Sequence, residues 1–269
     1  MKSPPAFAAT SCLSARGVAA LGLAVLGLVT LSLVTLGLSR PAAAQMALGD
    51  SGLTLTLTPA ASTDYLFRGI SQTRNRPAIQ GTVDLQHDSG FYVGAFATNV
   101  AFPGLNARQE LDLMAGYRFE AAGASFDLGA VYYAYPGYDK PPGGFQLDYV
   151  EAVLKASYTV APVKLLATAA YSPNFYFRTG DAFYLEGGAD VALPAGFTLS
   201  GRLGRQWIDR NARYGAPDYA TWSVAVSREV IAGFTLSVGY YDTDLSKGEC
   251  FGGTKFCDAR AMVTLSRAF

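Results

Sequence analysis

The residue types that could carry catalysis are scarce. His87 is the single histidine in 269 residues, and it stands in the stretch His87-Asp88-Ser89-Gly90. Ser, His and Asp are the parts of a hydrolytic relay. A relay, however, needs a fold that holds the base within hydrogen-bond reach of the nucleophile, and adjacency in sequence does not supply this. The same four residues are turn-forming, so the expectation for His87 is a structural role in a tight turn. The chain has no Gly-x-Ser-x-Gly elbow, no His-rich metal pattern and no phosphate-cradling glycine loop, which leaves no cofactor and no metal to expect. Pairs such as Gly187-Gly188 and Gly252-Gly253 read as strand kinks and loop residues. Cys12 precedes a long apolar run and has no lipobox around it. Cys250 and Cys257 share one polar segment, and in an exported chain such a pair is expected to form a disulfide.

The remaining chemistry is ionic. Asp64, Arg68, Asp84, Glu110, Asp112, Arg118, Glu151, Lys155, Glu186, Asp190 and Arg202, with Asp127 and Lys164, fall on the polar parity of alternating segments. If the apolar parity faces lipid, these side chains face a lumen. Acids slightly outnumber bases among them, so a charged constriction with a mild preference for cations is one reading. Mutual pairing of these charges inside a narrow barrel, with no continuous pore, is the second. A lipid-modifying enzyme is the third, but its usual machinery includes a histidine near the outer leaflet, and His87 falls on a short turn.

A parity argument requires strands. Leu53-Thr54-Leu55-Thr56-Leu57-Thr58 alternates strictly, the period-2 signature of a sheet with two unlike faces. The pattern recurs in Thr82–Gln86, Glu110–Leu113, Val163–Ala169, Phe197–Leu203 and Phe234–Tyr240. About twelve such segments are expected, mostly long enough for the 9–11 residues of a tilted membrane strand. Five connections are tight: His87–Gly90, Ala121–Gly123, Val160–Pro162, Pro194–Gly196 and Val230–Gly233. Six others are longer and lie near Ser71–Pro77, Phe102–Arg108, Tyr135–Gly144, Ser172–Asp181, Ile208–Asp218 and Thr243–Asp258. Short and long connections alternate, as periplasmic turns and outer loops do in an all-β, transmembrane, antiparallel up-and-down barrel. With about twelve strands, both termini lie on the periplasmic side. Aromatic residues near strand ends (Tyr65 and Phe67, Phe91 and Tyr92, Tyr117 and Phe119, Tyr132 and Tyr133, Trp207, Trp222, Tyr240 and Tyr241) would form interfacial girdles.

The first 44 residues differ from the rest. Lys2 and Arg16 precede an uncharged run from Gly17 to Leu38, and Ala42-Ala43-Ala44 follows. These are the three parts of a cleavable signal peptide, with cleavage expected after Ala44 and the barrel spanning 45–269. A permanent anchor is the alternative, because about 22 apolar residues could span a bilayer. Cleavage removes Lys2, Arg16 and Arg40 but no acid, so 18 of the 21 bases would face all 21 acids. That balance argues against a nucleic-acid partner.

The segment Ser62-Thr63-Asp64-Tyr65-Leu66-Phe67-Arg68-Gly69-Ile70-Ser71-Gln72-Thr73 resembles the opening motif of the TorF-like family of outer-membrane porins. Pro77-Ala78-Ile79-Gln80-Gly81, His87–Gly94 and Asn99-Val100 extend the resemblance over about residues 53–100. It implies an outer-membrane barrel with a transport role in a Gram-negative bacterium, taking small solutes or ions and surrounded by outer-membrane lipids. The chain also ends as such barrels do, with an alternating segment, Ala261–Phe269, closing on Phe269. By resemblance, that strand engages the barrel-assembly machinery. Arg267 departs from the usual apolar residue near the end and is read as an interfacial side chain that snorkels.

Overall fold

A computed structural model of the chain describes residues 45–211 and 215–269. The expected signal peptide, residues 1–44, lies outside the described residues. Twelve strands form one closed sheet: β1 (Leu53–Ser62), β2 (Ala78–His87), β3 (Phe91–Asn99), β4 (Gln109–Ala121), β5 (Ala124–Ala134), β6 (Tyr149–Val160), β7 (Val163–Ser172), β8 (Ala182–Ala192), β9 (Phe197–Ile208), β10 (Tyr219–Ile231), β11 (Phe234–Thr243) and β12 (Arg260–Ser266). Each strand pairs antiparallel with the next, and β12 returns to β1 through Thr264 opposite Ser62. The topology is the expected up-and-down barrel. Closure leaves no open sheet edge for another chain to extend.

The closing seam has parts that the strand pattern does not announce. β12 itself covers only the Ala60–Ser62 end of β1. Below it, the N–H of Arg267 donates to the carbonyl of Pro59 (3.2 Å), and Phe269 exchanges two backbone hydrogen bonds with Leu57 (2.8 and 3.1 Å). An added short strand, Met46–Ala47, then pairs with Thr54 and Leu55.

Alternation decides what each face shows. Val83, Val93, Leu113, Leu128, Leu154, Leu165, Leu185, Leu203, Val224 and Val238 share the outward parity and are exposed, Leu203 to 63%. An apolar belt of this extent is suited to hydrocarbon rather than water. Aromatic side chains border it at both ends, with Tyr132, Tyr171, Phe183, Trp207 and Tyr240 toward the long loops. Phe91, Tyr117, Tyr158, Phe197 and Phe269 lie toward the short turns. The girdle expectation needs correcting for part of its set, because the period of two splits neighbouring aromatics. Phe91, Tyr132 and Tyr240 point outward, whereas Tyr92, Tyr133 and Tyr241 point into the barrel. Tyr65 and Phe67 pack inside as well.

The short turns are built for strand reversal. Ala122-Gly123 and Ala232-Gly233 are two-residue turns with both φ positive, the combination whose twist matches that of the flanking strands. The six long connections, L1 (63–77), L2 (100–108), L3 (135–148), L4 (173–181), L5 (209–218) and L6 (244–259), gather at the opposite end. The parity reading carried β1 on through Asp64 to Arg68. The strand instead stops at Ser62, and L1 turns into the barrel, so these two residues reach the interior by a loop rather than by register.

Candidate functional site in the barrel interior

L1 crosses the interior at the loop end. Its organiser is Asp64, a buried carboxylate that accepts hydrogen bonds from the Tyr65 N–H (2.8 Å), Ser71 Oγ (2.7 Å) and Thr73 Oγ1 (2.6 Å). Arg260 of β12 completes its shell with an ion pair at 2.8 Å. Held this way, Leu66–Phe67 pairs with Ile70–Ser71 in a small inner hairpin whose tip is Arg68-Gly69. Both tip residues have positive φ, 48° and 84°. Gly69 is also required by space, since a Cβ there would run into the side chains of Thr221 and Thr243 on β10 and β11. The hairpin tip therefore abuts the wall at β10 and β11.

Arg68 is the hub of this region. Its guanidinium donates to Glu151 Oε2 on β6 (2.7 Å) and to Gln206 Oε1 on β9 (2.6 Å). It lies 4.6 Å from the Phe67 ring centre and 4.2 Å from that of Tyr184. Burial is the largest influence and works to lower its pKa, but the Glu151 carboxylate together with Tyr133 and Tyr149 outweighs it and the net shift is upward. Tyr133 donates to the same Glu151 oxygen at 3.0 Å. Beside this hub, Tyr65 of L1 donates to Glu110 Oε1 at 2.6 Å. Burial, followed by the Glu110 charge, pushes the Tyr65 phenol well up, so it stays a neutral donor. Asp112, two residues along the same inward face of β4, is buried, and its Oδ1 accepts no hydrogen bond from any described residue.

Burial divides the interior in two. At the loop end the inward side chains Ala78, Thr98, Glu110, Tyr133, Glu151, Ser172, Tyr184, Gln206, Tyr219 and Thr243 are all buried. Phe175 of L4 and the Cys250–Cys257 disulfide of L6 pack over them. The short-turn half is open by comparison. There Arg118 makes a two-armed contact with Asp84 (2.8 and 2.7 Å), reaches Asp127 at 3.4 Å, and lies 3.8 Å from the Tyr92 ring centre. Tyr92 fits because its neighbours on the adjacent strands are glycines; a Cβ at Gly116 would come within 2.8 Å of its ring. Arg202 pairs with Asp190 at 2.6 Å, and Tyr184 donates to Glu186 at 2.7 Å. Gly188, expected as a strand kink, instead leaves the space that Arg202 occupies. Lys155 and Lys164 line a cavity of about 400 Å³ with Arg118, Asp127 and Thr168. Among the described residues neither lysine has an acid within ion-pair distance.

The candidate residues thus fall into separate groups. Arg68 joins Glu151, with Glu110 and Asp112 nearby; Asp84 joins Arg118 and Asp127; Asp190 joins Arg202; Asp64 joins Arg260. Arg260, Gln206 and the tyrosines at positions 65, 92, 133 and 184 belong to the site but were not candidates. Arg260 could have been found by extending the Ala261–Phe269 alternation back by one residue. Among the described residues and counting Arg260, six bases (Arg68, Arg118, Lys155, Lys164, Arg202 and Arg260) share the inward side with ten acids: Asp64, Asp84, Glu110, Asp112, Asp127, Glu151, Glu186 and Asp190, with Glu120 and Glu229 at the short-turn rim. His87 lies outside this site. Its Nδ1 contacts Ser89 Oγ at 2.7 Å and accepts the Ser89 N–H at 3.1 Å, bonds that hold the turn itself. Among the described residues no group of three or more His, Cys, Asp or Glu is arranged to hold a metal ion.

Comparison with known proteins adds family and fold. The profile of a bacterial protein family of unknown function (Gcw_chp) matches residues 46–269. A GLTT repeat in six copies matches residues 13–39, outside the described residues. No curated protein matches the sequence. Among solved structures the chain is similar to the KdgM porin in complex with disordered oligogalacturonate, at 12% identity and TM-score 0.51, covering 80% of this chain and 99% of that one. It is also similar to the NanC porin, at 8% identity and TM-score 0.54, covering 80% and 98%. At such identities the likeness is one of fold.

Proposed function

The chain belongs to the bacterial protein family of unknown function Gcw_chp, and we propose that it is an outer-membrane channel for passive diffusion of small solutes or ions. The observation that carries this reading is the division of the barrel wall into an uncharged outward belt and an inward face on which, among the described residues, ten acids meet six bases. Such a wall separates hydrocarbon from a hydrated, charged path. The acid excess favours cations, and Glu186, which makes no ion pair among the described residues and accepts only from Tyr184, is a charge left to act on them. The fold shared with the KdgM and NanC porins supports a channel, and the resemblance of Ser62–Thr73 to the TorF-like porin motif agrees with that reading. Export through a signal peptide, insertion among outer-membrane lipids and recognition of the Phe269 strand by the barrel-assembly machinery belong to the same reading.

In this structure the loop end is filled, and the first loop fills it. L1 is fastened by Asp64–Arg260, Arg68–Glu151 and Tyr65–Glu110, contacts of side chains rather than of the barrel ladder. We read L1 as a stopper that leaves the lumen when the channel conducts. The packed side chains at the loop end favour a second reading, a barrel permanently closed. Planar-bilayer recording separates the two. The channel reading expects discrete conductance with a reversal potential on the cation side, and a shift of that potential toward zero in Glu186→Gln. Arg68→Gln/Glu151→Gln, which releases the hairpin tip without stranding a charge, should raise the time spent open. Silence in the wild type and in this double variant would establish the closed barrel, and a lipid-hydrolysis assay would then test for an enzyme.

A further inference from the structure

Near the short-turn end, two outward-facing arginines make no ion pair among the described residues. Arg228 on β10 and Arg267 just after β12 share the outward parity and flank β11 at the short-turn end: Arg228 stands opposite Leu236, and Leu236 opposite Leu265. Two strand spacings and a two-residue offset along the strand separate them, about 12 Å between backbones. Each guanidinium lies on an aromatic ring, Arg228 at 4.9 Å from the centre of Phe197, and Arg267 at 4.3 Å from Phe269 and 5.5 Å from Phe234. Neither has a carboxylate within ion-pair distance among the described residues, whereas Arg205 at the opposite end pairs with Asp244 at 3.5 Å. The Nε of Arg267 is shielded from solvent and donates to no described residue.

A guanidinium at the edge of an apolar belt gains most when its fork meets an anion, and a phosphate offers oxygens at the matching spacing. The aromatic rings fix the level at which that anion must sit, since such rings settle where acyl chains meet headgroups. We propose that Arg228 and Arg267, with Phe197, Phe234 and Phe269, bind the phosphate of an anionic phospholipid in the leaflet at the short-turn end. The site rests on the membrane-barrel reading above, and it anchors the hairpin and the closing strand next to the seam.

The test is native mass spectrometry of the intact barrel released from micelles doped with phosphatidylglycerol or phosphatidylcholine. Phosphatidylglycerol should be retained about tenfold over phosphatidylcholine, and Arg228→Gln/Arg267→Gln should abolish the difference. Arg228→Gln alone, which leaves the terminal strand intact, should reduce it several-fold. Equal retention of the two lipids, or unchanged selectivity in Arg228→Gln, overturns the site. Displacement of the lipid by millimolar inorganic phosphate overturns it too, by showing a free-anion site. A barrel that conducts in bilayers yet shows no headgroup preference refutes this site alone, whereas a chain that never enters bilayers refutes both readings.

Discussion

Arg68 shows what a single residue decides. Its charge is sunk among Glu151, Gln206, Phe67 and Tyr184, and each of these comes from a different segment of the chain. Removing one partner of a buried ion pair strands the other, at a cost of about 3–5 kcal/mol. Arg68→Ala is therefore expected to lower unfolding stability in urea by about that much, with Glu151→Gln recovering a large part of it in the double variant. Additive losses would show that the pair is not coupled. Very little of this was legible from residues: parity marked Glu151 as inward, but nothing in the sequence pairs it with a loop residue 83 positions away. Gln206 is not legible in the sequence, because an uncharged amide on the inward parity gives no signal of its own.

Among the elements, L1 and the terminal strand do the most. The segment Ser62–Thr73 is the most distinctive motif in the chain, and it turns out to be the hairpin that occupies the lumen. Asp64, the tip Arg68-Gly69 and Thr73 each have a geometric task there, which explains why the motif mixes strand formers with turn residues. The terminal strand closes the barrel through residues beyond its own ladder. Deleting Phe269 removes two backbone hydrogen bonds to Leu57 and one ring under Arg267. It is expected to reduce the fraction of protein that keeps a heat-sensitive compact band on gels, and wild-type levels of that band would show the seam closes without it. In L6, Cys250 and Cys257 are bonded and packed against Ile70 of the hairpin. Reduction should shift gel mobility and increase open time in bilayers, since it loosens the cover over the hairpin. No change in either would leave L6 without a part in closure.

For the whole molecule, signal cleavage after Ala44 is proposed to leave Gln45 as the first residue. Mass measurement of the protein from outer membranes tests this, and retention of residues 1–44 would establish an anchor instead. Barrel, strand number, outward belt and the alternation of short turns with long loops were all legible in the sequence. The reason is that each follows from local periodicity: the side chains of a strand alternate, and a closed sheet in lipid must satisfy every backbone group. Which aromatics face outward was half legible, because neighbours in a strand take opposite faces and only the absolute parity sorts them. What only the tertiary structure decided is the inside of the barrel. Parity says that a side chain points inward, not what it meets there, since contacts across a lumen join residues far apart in sequence and depend on the shear of the sheet and the path of L1. The sequence by itself determined a wall with two faces; the fold decided that the charged face is divided into ion pairs and closed at one end by the chain's own first loop.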